Sequence, residues 1–333
     1  RPGHAGPEPG REGQRLDSSQ GSETIDEAAG TAPDGVAILA FDECEALAQR
    51  VAARLRLPCR AIETHVFPDG ESLVRAVADG AERVLVFRSL DHPNARLVEL
   101  LLAADALRRQ GVSALGLVAP YLGYMRQDHV FQPGEPLSQR VVARLLSDAF
   151  DDVLTVEAHL HRIRTLAEVF TCPARSLPAA AAIADWIAAG PRPSVVIGPD
   201  AESEPWVRAI AEPAALPWCV GRKQRHGDRD VHIELPALPT GVGTALLVDD
   251  VASSGTTLEA LARILAGRGV PRIEAVVVHA LFSPDAERRL AAAGIARIVS
   301  SDGIRHPTNE IPLAPTLARA IEARWLSKRP AET

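Results

Sequence analysis

The sequence predicts an α/β protein with two similar domains, each built on a mainly parallel sheet that is covered by helices. Short aliphatic runs typical of buried strands alternate with segments of helical period from Val36 onward. The alternation occurs twice, with a join near residues 173–178, and 333 residues suffice for about two domains. Parallel sheets covered on both faces explain why the strands are continuous apolar runs.

In the first half, each predicted strand is an aliphatic run and each predicted helix has an apolar stripe. The first strand is 36–41, and Leu47, Val51 and Leu55 form the stripe of the helix that follows it. Further strands are expected at 61–66, 83–88, 115–119 and 153–156. Helices are expected at 43–55, 94–110 and 137–148, with a long polar loop at 120–136.

The second half repeats this rhythm. Its strands are expected at 194–198, 216–220, 231–234, 244–248, 273–279 and 296–300. Its helices are expected at 179–189, 204–212, 256–268, 284–293 and 315–326, and 221–230 is a polar segment. The domains are therefore predicted at 36–175 and 176–326. Residues 1–35 are rich in Gly, Pro, Ser and acidic residues, so we expect a disordered tail there, and 327–333 form a second short tail.

Composition argues against several classes of protein. The 36 basic and 43 acidic residues give a net charge of −7, which is unlike a protein that holds nucleic acid on a basic face. No apolar stretch approaches the roughly 20 residues that span a bilayer, so no membrane partner is expected. Cys44, Cys59, Cys172 and Cys219 stand apart, which predicts neither a zinc cluster nor a disulfide framework. We therefore expect a cytoplasmic protein.

The segment 244–257 has the pattern of a sugar-phosphate site. An aliphatic strand ends in Asp249 and Asp250, and a turn of small residues then opens a helix. Backbone N–H groups and hydroxyls at a helix N-terminus suit a phosphate. In this turn they belong to Ser253, Ser254, Gly255, Thr256 and Thr257. The two carboxylates suit sugar hydroxyls or a cation. An ordinary capped helix explains the turn but leaves the acidic pair unexplained.

Four segments in order carry a resemblance to a known family. Thr244–Thr257 resembles the phosphoribosyl-diphosphate-binding motif of the type I phosphoribosyltransferase fold. The segments Phe67–Glu71, Pro120–Asp128 and Val153–His159 look like motifs of the ribose-phosphate diphosphokinases. The resemblance implies two phosphoribosyltransferase-like domains in tandem, with ATP on the first and ribose 5-phosphate on the second. It also implies Mg²⁺-dependent transfer of the diphosphoryl group of ATP to the 1-hydroxyl of ribose 5-phosphate, giving phosphoribosyl diphosphate and AMP.

The resemblance also implies roles for single residues. ATP would be bound by Phe67, Asp69, Glu71, Arg126 and Gln127. Ribose 5-phosphate would be bound by Asp249, Asp250, Ser253, Ser254, Gly255, Thr256 and Thr257. The metal would be held with the help of His159 and Asp200, and the catalytic residues would be Lys223 and Arg225, in a basic hairpin that closes over the substrates. Cations at this position suit the charge that develops in diphosphoryl transfer.

The chain also departs from the commonest family pattern. The segment Ala201–Glu204 replaces a small Gly-rich turn after Asp200, and its acidic residues could strengthen metal binding or repel phosphate. Gln224 removes one cation from the basic hairpin, and Ser253 stands where many members have an acidic residue. Glu157 replaces an Asp two residues before the histidine. The sequence therefore gives no basis for transferring regulation by phosphate or ADP.

Family members usually form homo-oligomers in which the loop around Phe67 completes a neighbour's ATP site, so a homo-oligomer is implied here too.

Two other functions stay open at this point. One alternative is a non-catalytic relative that binds and regulates an active synthetase, although the presence of Lys223 and Arg225 argues against it. The other is a phosphoribosyltransferase that consumes phosphoribosyl diphosphate, which leaves Arg126 and Gln127 without a role.

Overall fold

Two parallel sheets dominate the molecule. The computed structural model describes residues 35–225 and 231–327, and within these ranges it has two six-stranded sheets and two antiparallel hairpins. The predicted α/β fold with two parallel sheets is therefore confirmed. Apart from Gly35 and Ser327, the expected tails 1–35 and 327–333 lie outside the described residues.

The N-terminal sheet is built from the first half of the chain. The strands are β1 (Val36–Ala40), β2 (Cys59–Ala61), β3 (Glu63–Val66), β4 (Ser72–Arg75), β5 (Arg83–Phe87), β6 (Ala114–Ala119), β7 (Asp152–Val156) and β8 (Ala174–Leu177). The helices are α1 (Glu45–Leu55), α2 (Pro93–Arg109) and α3 (Ser138–Ala149). Strands β3 and β4 form a hairpin, and the other six form the sheet in the order β2–β1–β5–β6–β7–β8.

The C-terminal sheet follows the same plan. Its part of the chain begins with α4 (Ala180–Ala189) and contains β9 (Val195–Gly198), α5 (Glu204–Ala211), β10 (Trp218–Val220), β11 (Arg222–Arg225), β12 (Val231–Glu234), β13 (Thr244–Ala252), α6 (Thr256–Gly267), β14 (Arg272–Ala280), α7 (Pro284–Ala292), β15 (Ile295–Ser301), β16 (Asn309–Ile311) and α8 (Ala314–Ile321). The sheet order is β10–β9–β13–β14–β15–β16, with β11 and β12 as a hairpin. In both halves the hairpin comes directly after the second strand in chain order, β2 or β10, and the strand orders of the two sheets correspond. The two halves therefore share one topology.

A common apolar core joins the two sheets. One cluster of buried side chains includes Ile38 of the N-terminal sheet and Val248 of the C-terminal sheet. Helices from both halves contribute to the same cluster, among them α1 with Val51 and α8 with Leu317. Because α8 follows the C-terminal sheet in the chain and packs on α1, the two halves are held together by continuous apolar burial.

The end of the chain is anchored on the N-terminal sheet. A π-helical turn at Glu322–Leu326 follows α8 and buries Trp325. The indole N–H of Trp325 donates to Asp152 Oδ2 at 2.9 Å, and Arg324 Nε donates to the same oxygen at 2.8 Å. A Cβ at Gly116 of β6 would lie 2.4 Å from the Trp325 ring. Gly116 therefore leaves the space that this tryptophan fills.

Several sequence-based boundaries were wrong. The expected strand 61–66 divides at Ile62, because Ile62 is buried beside β1 while Glu63–Val66 leaves the sheet as an exposed hairpin strand. Residues 222–225, expected in a polar segment, form β11 by pairing with β12. Strand β13 continues beyond residue 248 to Ala252, because it stays paired with β14. Strands β4, β8 and β16 were not expected.

Within residues 35–225 and 231–327, no helix combines the length and the apolar character that crossing a bilayer requires.

Candidate active site

A cleft of about 840 Å³ lies where strands of both sheets end. Its walls come from the residues that follow β6, β7 and β9 and from the end of β13. These are carboxyl ends of parallel strands, the edge at which open α/β sheets bind ligands. The cleft is therefore the natural place to look for substrates that contact both halves of the chain.

Six of the residues that the sequence singled out line this one cleft. They are Arg126, His159, Asp200, Asp249, Asp250 and Thr257. The first two belong to the N-terminal half of the chain and the other four to the C-terminal half. The fold thus brings the expected ATP side and the expected ribose phosphate side to a common space.

A hydrogen bond joins the two halves at the centre of the cleft. His159 Nδ1 lies 2.7 Å from Asp250 Oδ2. This hydrogen bond is the main cause that raises the pKa of His159. Burial acts to raise the pKa of Asp250, but the hydrogen bond and charge of His159 outweigh it and the pKa is lowered. The pair therefore favours an ionised carboxylate beside a protonated imidazole.

Asp249 has the opposite electrostatic setting. Burial, followed by the negative charge of Asp250, raises the pKa of Asp249 well above its usual range. Asp200 adds further negative charge. An added cation would relieve this repulsion and favour the ionised form of Asp249.

The oxygen donors here suit Mg²⁺. No three His, Cys, Asp or Glu side chains in the described ranges come close enough to form a complete metal site. Mg²⁺ needs only one or two carboxylates, because waters and substrate phosphates complete its octahedral shell. Asp200, Asp249 and Asp250 supply hard oxygen atoms on the cleft wall. The donor set therefore fits Mg²⁺ that arrives with a nucleotide.

Asp200 also has a structural contact. It is the N-cap of a 3-10 turn at Ala201–Ser203, and Oδ1 accepts from the Ser203 backbone N–H at 3.3 Å. Gly198, at the end of β9, allows this turn to pack closely, since a Cβ there would lie 2.4 Å from Ser203 Oγ. The turn therefore holds Asp200 at the cleft through its backbone and its side chain.

The small-residue turn after β13 forms the start of α6 as expected. Gly255 is the N-cap and has a φ of 71°, a left-handed conformation that glycine adopts without strain. Arg289 of α7 donates to the carbonyl of Ser254 at 2.7 Å, and the hydroxyls of Ser254 and Thr256 lie 3.0 Å apart. The Thr256 N–H donates to Ser254 Oγ at 3.5 Å, and the start of a helix is a position that suits an anion. Ser253, Ser254, Gly255 and Thr256 lie beyond the residues that line the cleft, which Thr257 reaches.

The loop after β6 separates its two predicted ATP ligands. Arg126 lines the cleft. The Gln127 side chain instead accepts a hydrogen bond from Ser138 Oγ at 2.6 Å, at the start of α3. The structure therefore brings Arg126 to the candidate site and uses Gln127 to attach the loop to α3.

The remaining ATP candidates lie in the turn of the β3–β4 hairpin. Phe67 N–H donates to the Glu71 carbonyl at 2.8 Å, and Glu71 N–H donates to Asp69 Oδ1 at 3.1 Å. All three residues are exposed and none lines the cleft. Ser72 Oγ donates to the buried Glu99 of α2 at 2.8 Å, which fixes the base of the hairpin. Within one chain the structure does not bring this turn to the cleft.

The basic hairpin approaches the cleft through its first strand. Arg222 lines the cleft, directly before Lys223 in β11. Strand β11 pairs with β12, so that Lys223 is opposite Ile233 and Arg225 is opposite Val231. The side chains of Lys223 and Arg225 lie outside the described part of the structure. Gly221 permits the close start of the hairpin, because a Cβ there would lie 2.6 Å from the Pro199 carbonyl oxygen.

Sequence reasoning missed several residues of the cleft wall. They are Trp206, His161 and Arg222, while Glu157 and Glu202 were noted only as departures from the family pattern. A signal for some of them was available. Glu157, His159 and His161 alternate directly after a buried strand, at the carboxyl end where open α/β sheets bind ligands.

A second hollow of about 930 Å³ lies at the opposite edge of the N-terminal sheet. Arg83, Asp151, Arg175, Arg324 and Trp325 are among its lining residues. None of the residues predicted from sequence to act on substrate lines it. The smaller cleft between the sheets is therefore the better candidate for the chemistry, because residues expected to bind ATP and residues expected to bind ribose 5-phosphate both line it.

Comparison with protein families identifies both halves of the chain. Residues 36–149 match the model described as the N-terminal domain of ribose phosphate pyrophosphokinase. Residues 172–299 match the model of the phosphoribosyl transferase domain. The tandem expected from the sequence motifs is thereby confirmed.

Similar proteins agree with these matches. The chain is 33% identical to a ribose-phosphate pyrophosphokinase of Methanopyrus kandleri over 86% of this chain and 98% of that protein. It is 31% identical to the protein of the same name from Methanothermobacter thermautotrophicus, over 86% and 99% of the two chains. The crystal structure of phosphoribosylpyrophosphate synthetase from Mycobacterium smegmatis has the same fold, with a TM-score of 0.72, 24% identity and coverage of 88% and 99%. The chain therefore belongs to the ribose-phosphate pyrophosphokinase family of enzymes.

Proposed function

We propose that the enzyme transfers the β,γ-diphosphoryl group of ATP to the 1-hydroxyl of ribose 5-phosphate. The products are phosphoribosyl diphosphate and AMP. The single observation that carries the proposal is the His159–Asp250 contact of 2.7 Å, since it joins an ATP-side residue to a ribose-side residue in one cleft. A direct transfer between two substrates needs both of them in such a shared space.

The two substrates have different partners in this proposal. Arg126 pairs with oxygens of the triphosphate, because a guanidinium forms strong charge-assisted bonds with phosphate. The carboxylates of Asp249 and Asp250 accept hydrogen bonds from the ribose hydroxyls. The N–H groups at the start of α6 hold the 5-phosphate, with the turn kept in shape by Arg289. With this division the 1-hydroxyl would lie between the two phosphate sites.

Asp200 and His159 are the residues that would hold Mg²⁺ supplied with ATP, and Asp249 and Asp250 line the same cleft. When bound, Mg²⁺ neutralises phosphate charge and favours departure of AMP. In the neutral ring Nδ1–H donates to Asp250, so Nε2 would be the atom left for the metal or its water once the second proton has been displaced.

Lys223 and Arg225 stabilise the transferring group. Their strand starts at the cleft with Arg222, and the backbone pairing of β11 with β12 makes the segment a hairpin that can close. Cations aimed at phosphoryl oxygens stabilise charge that develops during transfer. A closed hairpin also excludes water, which would otherwise hydrolyse ATP.

A second copy of the chain is the proposed partner at the β3–β4 hairpin. The hairpin and the outer face of α2 expose large apolar side chains, which we call the hairpin–α2 surface. They are Val66, Phe67, Leu73, Val77, Val98 and Leu102. Apolar groups clustered on a surface favour association. In such an assembly Phe67, Asp69 and Glu71 would complete the ATP site of a neighbouring subunit.

A product assay tests the proposed reaction. The purified enzyme is incubated with Mg²⁺, ATP and ribose 5-phosphate, and the phosphorus NMR spectrum is followed. We expect AMP and a sugar diphosphate to appear in equal amounts. Appearance of ADP would indicate transfer of a single phosphoryl group, and absence of turnover without a second protein would favour a regulatory relative. Consumption of phosphoribosyl diphosphate with a nucleobase would favour a phosphoribosyltransferase.

A further inference from the structure

Three alternating residues after β7 each contact the C-terminal half of the molecule. His159, in the middle, bonds Asp250. Glu157, two residues before it, accepts a hydrogen bond from Trp206 Nε1 at 2.9 Å. His161, two residues after it, has Nε2 at 3.1 Å from Glu202 Oε1. The candidate metal residue therefore lies between two further contacts.

Both flanking contacts come from one short segment. Glu202 lies in the 3-10 turn that Asp200 caps, and Trp206 lies in the first turn of α5. We call residues 201–206 the clamp segment. It lines the cleft through Glu202, Ser203 and Trp206. The clamp segment thus contacts the residues two positions before and two positions after His159.

Glu157 receives two hydrogen bonds on one carboxylate oxygen, in a setting that is only partly exposed. The Ala179 N–H donates to Glu157 Oε2 at 2.7 Å, the same oxygen that Trp206 reaches. Removing one of these donors should weaken the contact about tenfold, as for a charge-assisted hydrogen bond at a partly buried carboxylate. Glu157 also has a φ of 40°, so its backbone is held in a conformation that a non-glycine residue rarely adopts.

We infer that Trp206 and Glu202 are positioning residues that fix His159 for metal-nucleotide binding. The inference rests on the proposed function and adds a role for the clamp segment, which departs from the family's usual Gly-rich turn. The acidic residues of this segment then need not contact metal or phosphate. Glu202 is engaged with His161, and Asp200 keeps one carboxylate oxygen on Ser203. The longer side chain of Glu157 allows its carboxylate to reach the Trp206 indole.

Amide hydrogen exchange on the full-length apo enzyme tests the physical part of the inference. Trp206→Phe removes the N–H and keeps an aromatic ring, and Glu202→Gln removes the negative charge. We expect exchange in the peptide covering residues 157–161 to rise about tenfold in the double variant, as for loss of a hydrogen bond to a partly buried carboxylate. Exchange in β13 and α6 should not change.

Matched controls separate a local effect from general destabilisation. Trp218→Phe alters a tryptophan of β10 outside the cleft lining, and Glu212→Gln alters an exposed acid that pairs with Arg208 at 3.0 Å. These variants should leave exchange of residues 157–161 as in the parent. An equal rise in the controls, or no rise in the double variant, would overturn the inference.

Binding and kinetics then separate this inference from the proposed function. Calorimetric titration of the Trp206→Phe variant with Mg²⁺ and a non-hydrolysable ATP analogue should give a Kd raised about tenfold, with affinity for ribose 5-phosphate within about twofold. In turnover, KM for Mg·ATP should rise more than kcat falls. If exchange and analogue binding change as stated but no diphosphoryl transfer is found, the reaction assignment fails and the positioning role stands. Unchanged analogue binding in an active enzyme would contradict the positioning role alone.

Discussion

His159 Nδ1 and Asp250 Oδ2 lie 2.7 Å apart, and this contact spans the two halves of the chain. His159 follows β7 of the N-terminal sheet, and Asp250 lies in β13 of the C-terminal sheet. Their hydrogen bond sets the separation between the proposed nucleotide side and the proposed sugar side. Both side chains are about one-third exposed in the open cleft, so substrates can reach them.

Asp250→Asn should therefore affect both substrates. The amide keeps the shape of the side chain but removes its negative charge and replaces one of its two acceptor oxygens by an NH2 donor. This weakens the bond to His159 and the proposed bonds to ribose hydroxyls. We expect kcat/KM for each substrate to fall by about tenfold or more, as for loss of a charge-assisted hydrogen bond. Initial rates of AMP release at varied concentrations of each substrate measure this.

Asp285→Asn is the matched control for that substitution. Asp285 pairs with Arg288 on the exposed surface of α7 and is outside the cleft lining. This variant should keep the parental rates, because exposed ion pairs contribute little. A fall confined to one substrate in Asp250→Asn would contradict the bridging role.

Gly198→Ala should disrupt the turn that carries Asp200. The added Cβ would lie 2.4 Å from Ser203 Oγ and 2.5 Å from Val207 Cγ2, so the 3-10 turn and α5 must shift. We expect a loss of about 1 to 3 kcal/mol in the free energy of unfolding, as for overpacking. Urea denaturation measures the change.

Gly267→Ala is the matched control, because an added Cβ should not destabilise the fold at this position. Gly267 ends α6, and a Cβ there would meet no atom within 4 Å. This variant should be as stable as the parent or up to about 1 kcal/mol more stable, since alanine favours the helix. Equal stability of the two alanine variants would show that the close packing at Gly198 has no consequence.

Acid should destabilise the fold through His279. This residue is fully buried in β14, its Nε2 bonds the Val156 carbonyl oxygen at 2.9 Å, and Tyr121 packs edge-on against it. Burial lowers the pKa of His279 to about 4 from 6.5. The unfolded chain binds a proton at His279 more readily than the folded chain does. The contribution of neutral His279 to the free energy of unfolding is therefore complete above about pH 6.5 and is lost toward pH 4. The loss over that interval is about 3 kcal/mol.

Comparison with His279→Gln isolates this effect. Glutamine keeps a donor for the Val156 carbonyl but does not titrate. The partly buried carboxyls of Asp302 and Glu157, whose pKa values are raised by desolvation, act in the opposite direction and are common to both proteins. Urea denaturation between about pH 7 and about pH 4.5 should show a steeper decline in the parent than in the variant. Parallel curves would exclude His279 as the cause.

Leu73→Glu should weaken self-association. Leu73 lies in β4 and is 54% exposed on the hairpin–α2 surface. A buried charge at an apolar contact between subunits costs several kcal/mol when it has no partner. We expect a smaller native mass by light scattering, together with lower activity. Glu63→Gln on the same hairpin, which removes only an exposed ion pair with Arg75, should keep the parental mass. A parental mass in Leu73→Glu would place any interface elsewhere.

Lys223→Ala should reduce kcat by about a hundredfold or more, because a cation at the transferring group is lost. Substrate Kd values measured by calorimetry should change much less. The control is Arg263→Ala on α6, which removes a cation from an exposed pair with Glu259. A rate in Lys223→Ala near that of the control would remove Lys223 from its proposed role.

Much of the fold could be predicted from sequence because parallel strands are aliphatic runs. The strand expected at 83–88 and the helix expected at 256–268 lie close to their observed bounds, since burial leaves a clear pattern in both. Strand β11 could not be predicted, because Arg222–Arg225 has no apolar alternation and becomes a strand only by pairing with β12. Tertiary contacts decide such segments.

The candidate site was predictable where a motif combined chemistry with a strand end. Arg126, His159 and Asp250 were named from such motifs, and the structure brings them to one cleft. Trp206 was not named, because a tryptophan at the start of an amphipathic helix usually indicates packing. Its hydrogen bond to Glu157 joins residues 49 positions apart in the chain, and no local pattern encodes that contact.

The central claim is that nucleotide and sugar phosphate meet in one cleft. Paramagnetic relaxation tests it most directly, with Mn²⁺ and a non-hydrolysable ATP analogue bound to the full-length enzyme and ribose 5-phosphate added. We predict strong relaxation of the sugar-phosphate phosphorus signal, because the metal and the sugar lie in the same cleft. Relaxation equal to that of the Mg²⁺ complex, with both ligands shown to be bound, would place the two sites apart and contradict the account.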